Sequence, residues 1–345
     1  MTTAAAFRPL LPGPIDQGDP FIIEVPASVG AAHRFYVYTT GNEPSDGRAF
    51  PVYASDDLTT WRRLGDALAT DRTSAHWAPC IRHVPGLPRP FVMLYSHAIG
   101  RGEQGHVGHT ILRADAERPE GPFEDSGHAL TPDLDFAIDA DVYRHPDGSL
   151  RCAFATDFVA DEPYGTGIVE AGITDDLTAL TTELRILARP SVDWHVYEPA
   201  RVMPWKTIPG VDWTTGTVRW STVEGPVGGL VSPDGSPVYL YSGGNFNAFY
   251  AVGALVEDED GTLHDRSADP AHAVIAPDPA AGLLGPGHCS YLKLATGVDT
   301  LGLAPGDELL VVHARFGSLD TPRQMTLARL KWTDSGLPQG VPVSP

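Results

Sequence analysis

The feature that most constrains this chain is an internal repeat with a period of about sixty residues. Five segments share one plan: RFYVYTT then FPVYASDDLTTW, PFVMLYSHA then GHTILRADAERPEGPF, LRCAFATDF then GIVEAGITDDLTAL, PVYLYSGG then FYAVGALVEDEDG, and LLVVHARFG then RQMTLARLKWTDSG. In each, an apolar run rich in β-branched and aromatic residues ends on a small or polar residue. A loop follows, then a second such run, then an acidic or turn-forming corner. A further short run precedes each segment and carries one conspicuous group: Asp19, Trp77, Asp139, Glu224 or His288, separated by 58, 62, 85 and 64 residues. Units of this length with three or four short strands are expected to be the blades of an all-β, five-bladed β-propeller. The first strand of each blade then lines a central channel, and the five groups meet at one of its ends. A β-sandwich or several small β domains is the competing architecture, and the even spacing disfavours it.

Composition agrees with short strands and tight turns. The 345 residues include 36 Gly and 32 Pro, and apolar residues at 42% suffice for a sizeable core. No low-complexity linker divides the chain, so residues 1–345 are expected to form a single propeller domain. The long third interval holds an insertion at about residues 190–220, which contains Trp194, Trp205, Trp213 and Trp220, four of the seven tryptophans. A net charge of −20 opposes nucleic-acid binding. No stretch reaches the length of a membrane-spanning helix, so no membrane partner is expected. The three cysteines, Cys80, Cys152 and Cys289, are unpaired by spacing. With no signal-like start, they point to the cytoplasm, or to secretion if a leader was removed.

Two aspartates, a glutamate, a histidine and a tryptophan at one channel mouth fit glycoside cleavage. That reaction uses one protonated carboxylic acid and one ionised carboxylate, and a third carboxylate nearby helps keep the acid protonated. His106 and His109 in GHVGH lack the companions of a zinc site, and are expected to rim the pocket. No phosphate-binding glycine loop opens a helix, which leaves nucleotide binding without support. Asp-Pro and Glu-Gly-Pro are common turn sequences, so each alone reads as a turn. Glu120, in the same Glu-Gly-Pro context but at a corner after a strand, is expected to be structural.

The order of motifs resembles glycoside hydrolase family 43 over nearly the whole chain. The motifs are Asp19-Pro20, SDDLTTW at 55–61, Trp77-Ala78-Pro79, EGPF at 120–123, Ile138-Asp139, VEGP at 223–226, GPGHCS at 285–290 and PRQMTLARLKW at 322–332. The resemblance implies an inverting, five-bladed glycosidase acting on arabinose- or xylose-containing glycans. It implies Asp19 as general base, Glu224 as general acid and Asp139 as the carboxylate that tunes the acid. It further implies Trp77 as a wall of the sugar subsite, Arg323 as a donor to substrate and carboxylate, and His288 as the central histidine. Ala140 stands where the family usually has proline after the second aspartate, which leaves Asp135 and Asp141 as alternatives to Asp139. Inversion sets an expected Asp19–Glu224 carboxyl separation of roughly 6.5–9.5 Å.

The favoured activity is exo-acting α-L-arabinofuranosidase on small oligosaccharides or glycosides. β-Xylosidase and galactofuranosidase are alternatives within the family, and a non-catalytic sugar-binding propeller is the alternative outside it. The retaining fructan-cleaving propellers fit poorly, because their Asn-Asp-Pro, Arg-Asp-Pro and Glu-Cys motifs are Gly-Asp-Pro, Ile-Asp-Ala and Glu-Gly-Pro here. The chemistry requires no cofactor. A structural Ca2+ or Na+ held by His288 in the channel, with waters and carbonyls, is a further expectation.

Overall fold

The computed structural model of the chain describes residues 6–41, 48–72, 75–98 and 108–343. Five antiparallel units follow one another. The first is Gly18–Glu24, Phe35–Thr40, Arg48–Ser55 and Arg62–Ala69 (β1–β4). The second is His76–His83, Phe91–Ala98, His109–Ala116 and Phe123–Ala129 (β5–β8). The third is Ala137–Arg144, Leu150–Phe158, Gly165–Gly172 and Arg185–Ala188 (β9–β12). After Val196–Arg201 (β13) comes the fourth, Val218–Val231, Pro237–Gly244, Tyr250–Glu257 and Leu263–Asp265 (β14–β17). The fifth is Leu283–Lys293, Glu308–Phe316, Gln324–Trp332 and Pro338–Pro342 (β18–β21). Among the described residues, helix is confined to three-residue 3-10 turns.

The first strands pack in a ring: β1 on β5, β5 on β9, β9 on β14, β14 on β18, and β18 back on β1. This is the arrangement of a β-propeller. Side-chain packing and a backbone clasp close it. One apolar cluster joins Ile22, Phe35, Val37 and Tyr53 of the first unit to Leu309, Val311 and Met325 of the fifth. The stretch before β1 also clasps β20 and the residue before it, with Leu10 donating to Met325 O and Gln17 to Arg323 O, both at 2.9 Å. Second strands lie between neighbouring units. Accordingly FYVYTT and FVMLYSHA are buried along their full length and read as near-continuous apolar runs rather than alternating ones. Short parallel contacts between β4 and β8 and between β11 and β14 link the units further.

Each first strand slips register at the same place. Residues 19–20, 78–79, 139–140 and 225–226 each form an extra step against the second strand, and the fifth unit slips at His288. These are β-bulges. In every one the first residue is left-handed: Asp19 (φ 51°), Ala78 (48°), Asp139 (62°), Gly225 (55°) and His288 (45°). That conformation costs a non-glycine residue about 1–2 kcal/mol. Proline follows three times, as Pro20, Pro79 and Pro226, where a missing N–H leaves no ladder bond unmade. Asp139 keeps the same conformation with Ala140 behind it, so proline is not needed to form the bulge.

The repeat therefore needs one correction. The five groups picked from the sequence do not occupy one equivalent position. Asp19, Asp139 and His288 are left-handed bulge residues, whereas Trp77 and Glu224 stand one residue earlier, beside Gly18, Ile138 and Gly287. The DDL runs, by contrast, are purely structural. In SDDLTTW, Ser55 Oγ accepts from Leu58 N at 2.9 Å, Asp57 Oδ1 accepts from Thr59 and Thr60 N at 2.8 and 2.7 Å, and Trp61 Nε1 donates back to Leu58 O at 3.0 Å. This closes the β3–β4 corner.

Candidate active site

Asp19, Trp77, Asp139, Glu224, His288 and Arg323 all line one cavity of about 250 Å³ at one end of the ring. The bulges explain how. The residue before each left-handed position projects into the cavity, so Trp77, Ile138 and Glu224 line it. The other two such positions are glycines, because larger groups lie over them. A Cβ on Gly18 would come within 2.0 Å of the Arg323 guanidinium carbon, and one on Gly287 within 2.0 Å of the Tyr250 ring. Gly18→Ala is therefore expected to displace Arg323 and lower kcat/KM at least tenfold. The melting temperature should change little, since a flexible side chain is what must move. Steady-state kinetics beside a thermal melt checks this, and unaltered kinetics would contradict it.

The carboxylates sit in different surroundings. Asp19 Oδ1 lies 3.1 Å from Arg323 Nη1 and 3.3 Å from His288 Nδ1. Burial opposes its charge, but Arg323 and then His288 outweigh it and hold the carboxyl well below its ordinary range. Arg323 is anchored on the other side by Asp16, with Nε and Nη2 at 3.0 and 2.6 Å from Oδ2. Glu224 goes the other way. Burial pushes it up to about 7, with Asp19 pushing further, although Tyr250 donates a hydrogen bond to Oε1 at 2.8 Å. Asp139 is raised well above its ordinary value by burial, then by Glu224 and Asp19, while its Oδ2 accepts from Gly225 N at 3.1 Å. It is thus bonded to the residue next to Glu224.

The alternatives to Asp139 separate cleanly. Asp141 lies beneath the cavity, paired with Arg82 at 2.7 Å and accepting from Gly228 N at 2.9 Å. Asp135 is exposed and does not line the cavity. Glu120 sits on the corner after β7, near Arg118, outside the site. Of the two histidines expected at the rim, His106 lies outside the described residues. His109 is buried and stacks behind Trp77, with centroids 4.0 Å apart. It stiffens the tryptophan rather than edging the opening.

The tryptophan-rich insertion does two jobs. Trp205 and Trp220 line the cavity together with Tyr197, Arg201 and Lys206. Trp194 stacks on Tyr241 at 5.8 Å and donates to Ser267 O at 2.9 Å, and Trp213 donates to Lys206 O at 2.7 Å. Those two hold the wall up. Burial lowers Lys206 to about 8, and its ammonium pairs with Asp157.

Three groups beside the carboxylates and Arg323 were not anticipated. Tyr250 binds Glu224. Asp16 anchors Arg323. His313 makes the axis a two-histidine arrangement rather than a lone imidazole, stacking on Tyr250 at 5.8 Å and accepting from Asp19 N on Nδ1 at 3.1 Å. Burial lowers His313 to about 4, so it is neutral with the proton on Nε2. The available signal was slight: a single histidine following the apolar run LLVV, and an aspartate three residues before Asp19.

Beneath the carboxylates a second space of about 20 Å³ is bordered by Asp19, Asp139, Asp141, His288 and Ser290. That is room for about one water or a small hard cation. Among the described residues no three His, Cys, Asp or Glu side chains, these included, are arranged to hold a metal ion together, so an ion there would draw largely on waters and carbonyls.

A propeller with three carboxylates of opposed tuning in an aromatic-walled cavity defines a carbohydrate-cleaving class of enzyme. The model of glycosyl hydrolases family 43 matches residues 13–338, and the chain belongs to that family. It is a glycoside hydrolase of an inverting family, not the non-catalytic sugar-binding propeller. Similar solved structures include a thermostable family-43 glycoside hydrolase, with 24% identity, TM-score 0.71, and 97% of this chain and 96% of that one covered. An endo-1,4-β-xylanase from Bacteroides thetaiotaomicron shows 24% identity and TM-score 0.67, covering 95% and 94%. An α-L-arabinofuranosidase from Lactobacillus brevis shows 19% identity and TM-score 0.69, covering 99% and 100%. No curated protein matches the sequence.

Proposed function

We propose that the enzyme removes single α-L-arabinofuranosyl residues from the ends of small arabinose-containing oligosaccharides. Glu224 is the general acid, Asp19 the general base and Asp139 the carboxylate that orients and tunes the acid. The observation that carries this is the opposed tuning of two acids in one cavity. Arg323 keeps Asp19 ionised, while burial keeps Glu224 protonated up to about pH 7. Such a divergence marks acid and base partners. In this reading Glu224 gives its proton to the glycosidic oxygen as the bond to the anomeric carbon breaks. A water on the opposite face attacks that carbon and passes a proton to Asp19. Trp77, backed by His109, packs against the apolar face of the sugar. Arg323, held by Asp16, keeps Asp19 charged between turnovers.

Cavity size supports action on a chain end. At about 250 Å³ it is smaller than the roughly 300–1,000 Å³ of drug-sized ligand clefts, and the insertion closes one side. That fits a terminal pentose better than an internal run of polymer. The sugar assignment is tested with nitrophenyl α-L-arabinofuranoside, β-xyloside and β-galactofuranoside, together with linear arabinan. The arabinofuranoside should be cleaved fastest. A faster xyloside or galactofuranoside reaction would overturn the choice of sugar, and internal cutting of arabinan would overturn the exo reading. No cofactor enters the steps. A Ca2+ or Na+ beneath His288 would serve only to brace the carboxylate-bearing strands.

The acid must be protonated to act, so activity is lost as pH rises through its pKa. With Glu224 raised to about 7, kcat/KM is expected to decline above about pH 7, and Asp19, being depressed, should stay ionised at every pH of the working range. A pH–rate profile checks this. Constant kcat/KM up to pH 9 would rule out Glu224 as the acid.

A further inference from the structure

One hydrogen bond recurs at every boundary between units except one. The left-handed bulge residue donates its N–H to a side chain on the second strand of the preceding unit. Ala78 donates to Thr40 Oγ1 at 2.8 Å, Asp139 to Ser96 Oγ at 3.0 Å, His288 to Ser242 Oγ at 2.7 Å, and Asp19 to His313 Nδ1 at 3.1 Å. The four acceptors share one register, opposite Gly18, Trp77, Glu224 and Gly287. In the third unit that place, opposite Ile138, is Ala155. A methyl group accepts nothing.

The N–H left over is that of Gly225, and a buried N–H must find a partner. The hydroxyls nearest along the chain and across the strand pair are engaged elsewhere: Thr156 with Phe136 O at 2.7 Å, and Thr166 with Asp157 at 3.1 Å. Gly225 instead donates to Asp139 Oδ2 at 3.1 Å. We infer that Ala155 is a positioning residue: by withholding the acceptor present in the other four units, it hands the Gly225 N–H to Asp139 and fixes that carboxylate against the strand that carries Glu224. Asp139 is then held at both ends, its own N–H on Ser96 and its carboxylate on Gly225. One layer below, Asp141 takes the Gly228 N–H in the same way, at 2.9 Å, so two carboxylate–amide bonds tie β9 to β14.

The consequence for turnover rests on the proposed roles of Asp139 and Glu224; the rerouted hydrogen bond does not. Ala155→Ser restores the acceptor in a place where Ser96 and Ser242 already fit. Ala155→Cys adds similar bulk with only a weak acceptor. In protein labelled with 15N-glycine, the Gly225 amide is identified by its response to Asp139→Asn. Its proton should lie downfield in the parent and the Cys variant, as for a bond to a carboxylate, and move upfield in the Ser variant. The Ser variant should also lose about ten- to a hundredfold in kcat on a disaccharide substrate, the cost of a misplaced catalytic group. KM should hold, a nitrophenyl glycoside should suffer far less, and the Cys variant should remain near the parent. An amide that does not move in the Ser variant overturns the inference and leaves the proposed function intact. Equal losses in both variants with an unmoved amide do the same, by reducing the effect to packing. An amide that moves while kcat on the disaccharide holds overturns the assigned role of Asp139, and the positioning role with it.

Discussion

Replacing Glu224 by Gln is expected to lower kcat on glycosides with sugar leaving groups by about 10²–10⁴-fold, the usual contribution of a general acid. Much of the activity on nitrophenyl glycosides should survive, because nitrophenolate departs without a proton. The fold should tolerate the change, since Gln can still accept the hydrogen bond that Tyr250 gives to Oε1. The pH profile supplies the second sign. The decline above about pH 7 belongs to Glu224 and should vanish from the Gln variant's residual activity on the nitrophenyl substrate. Equal losses on both substrate types, with the decline still present, would place the acid elsewhere.

Replacing Asp19 by Asn is expected to cost as much and to spare neither substrate. Every turnover needs an activated water, whatever the leaving group, and the amide cannot take its proton. Arg323 would keep its bonds to Asp16, so no buried cation is left wholly unpaired and the melting temperature should stay near that of the parent. Substrates of graded leaving-group ability make the contrast measurable. The Glu224→Gln penalty should grow as the leaving group worsens, and the Asp19→Asn penalty should stay level. An Asp19→Asn protein at full activity would exclude Asp19 as the base.

Much of the ring was legible because each unit must bury its own strands. That need imposes an apolar run, a turn and a second apolar run about every sixty residues. Pro20, Pro79 and Pro226 were also visible, but Asp-Pro and Glu-Gly-Pro read as turns, and the bulges that these prolines suit emerge only from the strand register. The one-residue offset between Trp77 or Glu224 and the bulge residues was not visible. A bulge breaks the strand alternation, so that successive side chains such as Ile138 and Asp139 both reach the cavity, and its exact step is decided by backbone dihedrals that no residue type announces when Asp, Ala, Gly and His all occupy the left-handed place. Tyr250 and His313 read as ordinary residues of buried strands. Their approach to Glu224 and Asp19 depends on Gly287 and on packing between units far apart in the chain. Asp16 escaped notice because its partner is 307 residues away. The insertion announced itself by its tryptophans, but not the division between two that wall the cavity and two that support the wall.

The central claim is that Asp19 commands the side of the sugar from which water attacks, with Glu224 on the leaving-group side. Azide tests it most directly. In an Asp19→Ala protein, azide can enter the space vacated by the carboxylate. It attacks the anomeric carbon of a nitrophenyl glycoside, forming a C–N bond as the C–O bond breaks and nitrophenolate leaves, with no proton required. Proton NMR of the products should show a glycosyl azide whose anomeric configuration is inverted relative to the substrate, made by this variant and not by Glu224→Ala. A glycosyl azide of retained configuration, or one formed by Glu224→Ala alone, would contradict the account.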